Sequence, residues 1–129
     1  MKVWTGAAAA VAAVLYVMAL SNAVYELTSP VSLSWHVLLR KTYSIGAFAL
    51  VGYLAGRAAP EWRRRAGPGA LALLVAAYSA AIEIGQAFEG SREGLVWNAI
   101  DVACGAAGGY LGGLALRLTP PRAPGRRPR

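Results

Sequence analysis

Two carboxylates stand inside apolar stretches of this sequence. Glu83 and Asp101 lie within "AAIEIGQAFEGSREGLVWNAIDVACGAAGGY", residues 80–110, whose other residues are mostly apolar or small. A carboxylate in an apolar helix is costly unless it is paired, protonated or open to water. A group held in this way can serve as a general acid or base. Glu83 and Asp101 are therefore the candidate catalytic residues, although no reaction is assigned to them.

Other polar residues lie at helical spacing beside these carboxylates. Gln86 follows Glu83 by three positions, which puts both on one helix face. Arg92, in the connection that follows, can hold a carboxylate or phosphate through two parallel hydrogen bonds. Lys41 can place its ammonium in the same patch or extend it to the membrane interface. We predict a ligand-binding patch of Glu83, Gln86, Arg92, Asp101 and Lys41. The alternative is a structural ion-pair lock of Glu83, Arg92 and Asp101.

Small residues continue the helix face that carries Asp101. Asn98, Asp101, Gly105, Gly108 and Gly112 follow one another at steps of three or four residues. Residues at this spacing share one face of a helix, and glycines there let two membrane helices approach closely. Because the connection to the preceding apolar stretch is short, we predict that Gly105, Gly108 and Gly112 pack against that third helix.

The composition places these residues in a membrane protein. Hydrophobic residues make up 57% of the 129 residues, charged residues make up 15%, and the mean hydropathy is +0.44. Soluble domains are less apolar and carry more charge. Four runs are long enough to span a bilayer, at about 6–25, 40–58, 69–88 and 95–116. We predict an all-α bundle of four transmembrane helices over residues 1–118, followed by a disordered basic tail at 119–129.

The positive charge is distributed unevenly between the two predicted sides of the membrane. Ten of the 13 basic residues lie at the N-terminus, around the second loop or after the fourth apolar run, and only Arg40, Lys41 and Arg92 lie on the other side. The positive-inside rule then places both termini in the cytoplasm and the polar patch at the outer face of the cell membrane. The net charge of +7 does not indicate a nucleic-acid partner, because the apolar runs exclude a soluble binding protein.

Cofactor chemistry has little support in the sequence. Cys104 is the single cysteine and His36 the single histidine, so neither has a second residue of its type with which to form a disulfide or metal cluster. We predict no metal and no cofactor. The lipid bilayer is the expected partner, and the oligomeric state is left open.

The third and fourth apolar runs resemble the VanZ-like family of small integral membrane proteins. The family pattern is a Glu, a Gln three residues later, an Arg in a short loop, an Asp, and glycines at one-turn intervals. The matching positions are Glu83, Gln86, Arg92, Asp101, Gly108 and Gly112. One departure is Gly105, which stands where the family usually has Asn, so one polar side chain is missing from the patch.

The second run carries a fainter likeness to the same family. The family's "DKxxHxxxYxxxG" corresponds to "RKTYSIGAFALVG", in which Lys41 and Gly52 match. Arg40, Ser44 and Phe48 replace the Asp, His and Tyr of that pattern.

The resemblance implies where the protein acts, at the cell envelope, but implies no particular reaction. The namesake of the family is linked to resistance to teicoplanin, an antibiotic whose target lies outside the membrane. By this resemblance we expect a protein that binds or modifies an amphiphilic molecule of the cell envelope, such as a lipid-linked wall precursor or a lipoglycopeptide. Two other hypotheses remain open: a small proton-coupled transporter or channel subunit, and a structural accessory membrane protein.

Overall fold

All regular secondary structure in the described part of the chain is α-helical. The structure is a computed structural model that describes residues 2–21, 23, 24, 27, 35–90 and 94–119, without the side chains of 62–66. Its four helices are α1 (Lys2–Leu20), α2 (His36–Ala58), α3 (Pro60–Phe88) and α4 (Leu95–Leu118). The prediction of an all-α fold is confirmed. The predicted tail falls outside the described residues from 120 onward.

The observed helices extend beyond the apolar runs that predicted them. α2 begins at His36 rather than at residue 40, and α3 begins at Pro60 rather than at residue 69. The Gly- and Pro-containing stretch expected to form a loop is instead helical and is interrupted only at Gly67, where φ is 63°. Glycine tolerates this left-handed conformation, and proline fits the first turn of a helix because the missing N–H has no partner there. Pro60 and Pro68 therefore each open a helical segment.

Three of the described helical segments are long and apolar enough to cross a membrane. They are Lys2–Leu20, Gly67–Phe88 and Leu95–Leu118. The 23-residue helix α2 also has the length, but Arg40 and Lys41 near its start and Arg57 near its end lower its mean hydropathy. Three spans thus have the required composition, and a fourth span through α2 is part of the proposal below.

Helix α4 is the centre of the bundle and packs against both α2 and α3. Its buried residues are Asp101, Cys104, Gly105, Gly108, Gly109, Gly112, Gly113 and Leu116. Gly105 faces Val75 and Ser79 of α3, as expected, but Gly108 and Gly112 face α2 instead. The face expected to meet one neighbour is therefore divided between two helices. Gly109 and Gly113, which also contact α3, complete the second glycine row.

Helix α1 lies against α2 and α3 without burying any of its residues. At its start, the Trp4 ring lies 4.5 Å from the Arg57 guanidinium carbon at the end of α2. Further along, the Tyr78 hydroxyl of α3 donates a hydrogen bond to the Ala12 carbonyl. The contacts show that the end of α1, the start of α2, the end of α3 and the start of α4 meet at one end of the bundle. The candidate site is at this end.

Candidate functional site

A buried ion pair joins α2 to α4. The Lys41 ammonium donates a short hydrogen bond to Asp101 Oδ1, and the two residues are only 9% and 7% exposed. Lys41 comes two turns into α2 and Asp101 two turns into α4, so the pair lies inside the bundle rather than at its rim. The Lys41 ammonium nitrogen also lies 5.7 Å from the centroid of the Trp97 ring. Of the two positions open to Lys41 from the sequence, the structure places it in the patch.

Helix α3 holds the backbone of Asp101. The Ser79 hydroxyl donates a 3.0 Å hydrogen bond to the Asp101 carbonyl, and Ser79 is almost fully buried. This contact is close because Gly105, one turn beyond Asp101, has no side chain to separate the helices. Among the described residues, Asp101 Oδ2 has no hydrogen-bond partner, although it is buried. One carboxylate oxygen is therefore used by Lys41 and the other is unsatisfied.

Glu83 belongs to a second polar contact between α3 and α4. When the Asn98 amide is oriented so that its nitrogen faces acceptors, it donates to Glu83 Oε2 at 3.0 Å and to the Gly94 carbonyl at 3.1 Å. This bond ties the end of α3 to the first turn of α4. Glu83 and Asp101 thus lie in one region, each with a partner from another helix, as the sequence-based patch requires.

Gln86 connects the patch to α1. Its Nε2 donates a 2.8 Å hydrogen bond to the carbonyl of Ala19, the penultimate residue of α1. The last four carbonyls of a helix have no intrahelical partner, so this bond satisfies one of them. Arg92, the remaining residue of the predicted patch, lies outside the described residues.

The polar residues border a cavity of about 220 Å³ between α1, α2 and α3, with Asp101 of α4 also in its wall. Its ionisable wall residues include Arg40, Glu83 and Asp101, and Gln86 also lies in the wall. The rest of the lining is mostly apolar or aromatic: Leu15, Met18, Ala19, Val24, Tyr43, Ala47, Phe48 and Ile82, together with Ser44 and Ser79. Lys41 contacts Asp101 but does not itself line the cavity. A cavity with charged groups and apolar sides suits an amphiphilic molecule.

The chain has no match among protein-family models, curated proteins or solved structures.

Metal binding finds no support in the described part of the chain. No group of three His, Cys, Asp or Glu side chains there could hold a metal ion. Cys104 is buried in α4 beside the glycine rows. The polar groups in the cavity wall are charged side chains, an amide and hydroxyls.

Sequence reasoning missed several residues of the site. Ser79 precedes Glu83 by one helical turn and Gln86 by two, so the same periodicity that links Glu83 to Gln86 indicates Ser79 as well. Arg40 and Tyr43 lie in the cavity wall near the start of α2. Their signal was weak, because a charged or aromatic residue at a helix end is usual at a membrane interface.

Proposed function

We propose that this chain is a multi-pass integral membrane protein of the VanZ-like kind that binds an amphiphilic molecule of the cell envelope. In this proposal α1 to α4 all span the membrane, with both termini in the cytoplasm. The headgroup enters the cavity bounded by Arg40, Glu83, Gln86 and Asp101. The apolar part lies along the side chains of α1 and α2 that complete the wall.

The observation that carries the proposal is the meeting of polar side chains from α2, α3 and α4 around one cavity, whose wall also includes apolar side chains of α1. A charge buried among apolar helices is costly, and membrane proteins retain such groups mainly along ligand or ion pathways. The glycine rows of α4 already bring α2 and α3 close to it, so the helices do not need these polar groups in order to pack. A cavity of about 220 Å³ beside the ion pair is not needed for that packing.

The placement of α2 across the membrane is supported by its polar residues. Lys41 has its countercharge in Asp101, so it does not enter the bilayer as an isolated cation. Arg57 lies at the opposite end of α2, beside Trp4 and Tyr53, where an interfacial cation and aromatic residues are common. Between these ends α2 packs on the central helix α4.

Lipid retention provides the test of binding. The protein is released from nanodiscs and its bound lipids are counted by native mass spectrometry. Ala47 lines the cavity, so Ala47→Trp should fill it and remove most of the retained lipid. Ala77→Trp, on an exposed part of α3, is the matched control and should keep the wild-type count. Ala47→Leu, a milder filling, should give a partial loss; equal retention in all four proteins would refute the proposal.

The orientation is tested separately by labelling single cysteines on intact cells. Glu89 and Glu61 are exposed residues at opposite ends of α3, and each is replaced by Cys in a Cys104→Ala background. A membrane-impermeant thiol reagent should label position 89 and leave position 61 unlabelled. The reverse pattern would place the cavity on the cytoplasmic side and contradict an envelope ligand.

A proton-coupled transporter is the second candidate, because Asp101 combines burial with an unsatisfied oxygen. Intramembrane carboxylates of this kind mark proton relays in pumps and transporters. The proposed binding protein predicts no proton flux in liposomes under a pH gradient. A flux that disappears in Asp101→Asn would favour the transporter instead.

A further inference from the structure

One oxygen of Asp101 is available for a ligand. The Lys41 ammonium donates to Oδ1, and the Ser79 hydroxyl donates to the backbone carbonyl of Asp101. The buried Oδ2 has no partner among the described residues. A buried acceptor without a donor is unfavourable, and native proteins rarely leave one. Asp101 lines the cavity whereas Lys41 does not. A group that donates a hydrogen bond to Oδ2 would therefore come from the cavity.

The charges around the cavity favour an uncharged donor. Arg40 and Glu83 in the wall have opposite charges, and the charge of Asp101 is balanced by Lys41. The formal sum over these four residues is zero. An anionic or cationic headgroup would bring an uncompensated charge against these balanced, largely apolar walls, which is costly. A hydroxyl group supplies the missing donor without such a charge.

The rest of the wall suits a molecule with several hydroxyl groups. Ser44, Gln86 and Glu83 offer donors and acceptors, and a hydroxyl can act as both. The rings of Tyr43 and Phe48 supply apolar surface beside them. A cavity of about 220 Å³ has room for a small headgroup, such as glycerol or a single sugar.

Access to Oδ2 requires a small movement of the wall, because this oxygen is itself enclosed. Helix α1 is the part of the wall that packs least tightly, since none of its residues is buried. Leu15, Met18 and Ala19 of α1 line the cavity. In this inference an amphiphile entering from the bilayer displaces α1, while α2 to α4 stay packed.

We infer that the cavity selects an uncharged, hydroxyl-bearing lipid headgroup of glycerol or single-sugar size, one hydroxyl of which donates to Asp101 Oδ2. The inference rests on the proposed function, because it specifies the ligand class of the same cavity. No covalent step is involved.

The test is a competition between lipids in one membrane. Nanodiscs of phosphatidylcholine contain equal, low mole fractions of four probes: monoglucosyl diacylglycerol, 3-O-methyl diacylglycerol as an uncharged lipid without a hydroxyl group, phosphatidylethanolamine and phosphatidic acid. Native mass spectrometry then gives the enrichment of each probe on the protein. The glucosyl lipid should be enriched at least about tenfold over the other three probes, which is the effect of one hydrogen bond to a charged group.

Asp101→Asn examines the role assigned to Oδ2. Asn retains one acceptor oxygen for Lys41 and turns an amide nitrogen, which is a donor, toward the cavity. The enrichment of the glucosyl lipid should fall about tenfold. Glu89→Gln makes the same carboxylate-to-amide change on an exposed residue outside the cavity and should leave the enrichment unchanged.

The outcomes separate this inference from the proposed function. Preference for the acidic or the ammonium lipid, equal enrichment of all probes, or an unchanged preference in a folded Asp101→Asn would overturn the inference. The competition on the wild-type protein decides the matter if that variant does not fold. If Ala47→Trp still removes bound lipid while no headgroup is preferred, only the inference fails. If Ala47→Trp has no effect on lipid retention, both fail.

Discussion

Helices α4 and α1 are similar in composition and opposite in packing. Both are long, apolar and rich in Ala or Gly, yet α4 buries eight residues and α1 buries none. The glycines of α4 lie at steps of three and four, in two rows that face α2 and α3. In α1, Gly6 stands alone, and an added Cβ there would meet nothing within 4 Å.

The two helices also differ in their polar contacts. α4 is fixed by the charged pair of Lys41 and Asp101 and by the Ser79 bond to its backbone. α1 is held by neutral bonds from Tyr78 and Gln86 to its carbonyl groups. A tightly fixed helix can present a precise polar group, whereas a loosely held one can form a wall that opens. The cavity lies where these two kinds of packing meet, with Asp101 on one side and α1 on the other.

The largest expected effect comes from removing one partner of the ion pair. Lys41→Met leaves the Asp101 carboxylate buried without a cation, which should lower the free energy of unfolding by about 3–5 kcal/mol. Unfolding in mixed micelles by increasing SDS measures this value. The double variant Lys41→Met with Asp101→Leu removes both charges and should recover most of the stability.

The double variant also separates the two roles of the pair. If it is stable but no longer binds lipid in the retention assay, the pair serves the ligand rather than the fold. Full lipid binding in a stable double variant would mean that Asp101 contributes packing alone and would contradict the assignment of Oδ2.

The next effect compares the same substitution in the two helices. In Gly112→Ala the new Cβ would meet the Ala49 carbonyl and lie 2.7 Å from the Tyr53 nitrogen, and both are backbone atoms of α2. Because helix backbones cannot move aside cheaply, we expect a loss of about 1–3 kcal/mol. Gly6→Ala should leave the stability unchanged or raise it by up to about 1 kcal/mol, through helix propensity. Similar losses at both positions would remove the contrast between α4 and α1.

The periodicity of the sequence was sufficient for the helices and partly sufficient for their contacts. Apolar runs located all four helices, because length and hydropathy are local properties. The helical continuation across Pro60 and Gly67 was not anticipated, since these residues usually mark a loop. The division of the glycines between α2 and α3 depends on how the helices are arranged around α4. A single helical pattern does not contain that information.

The sequence indicated which polar residues lie near one another but not how they pair. Glu83, Gln86 and Asp101 lie at one end of the bundle, as their helical spacing indicated, and Lys41, for which two positions were open, lies there as well. The sequence offered Arg92 as a nearby cation for Glu83 and Asp101, and that residue lies outside the described part of the chain. Lys41 pairs with Asp101 from 60 residues away, because the glycine rows bring α2 against α4. Local spacing identifies polar residues, while their partners are decided by tertiary packing.

A smaller effect is expected from loosening α1. Tyr78→Phe removes the hydroxyl that donates to the Ala12 carbonyl and keeps the ring that contacts Phe48. Hydrogen bonds between membrane helices contribute about 0.6 kcal/mol on average, so the loss of stability should be close to this value. Amide exchange of α1 should increase while that of α4 stays constant. Tyr110→Phe, on an exposed part of α4, is the matched control and should change neither quantity.

An effect of similar size is expected at the other end of α1, far from the cavity. The Arg57 guanidinium carbon lies 4.5 Å from the Trp4 ring and 5.8 Å from the Tyr53 ring. A cation–π contact of this kind contributes about 0.5–1 kcal/mol, and Arg57→Gln should lower the stability by that amount. A double-mutant cycle with Trp4→Leu isolates the pair from the general effect of each change. Lipid retention should stay at the wild-type level, because none of these residues lines the cavity. A fall in retention as large as that of Ala47→Trp would show that α1 moves as one rigid body, so that releasing its start also opens the cavity at its end.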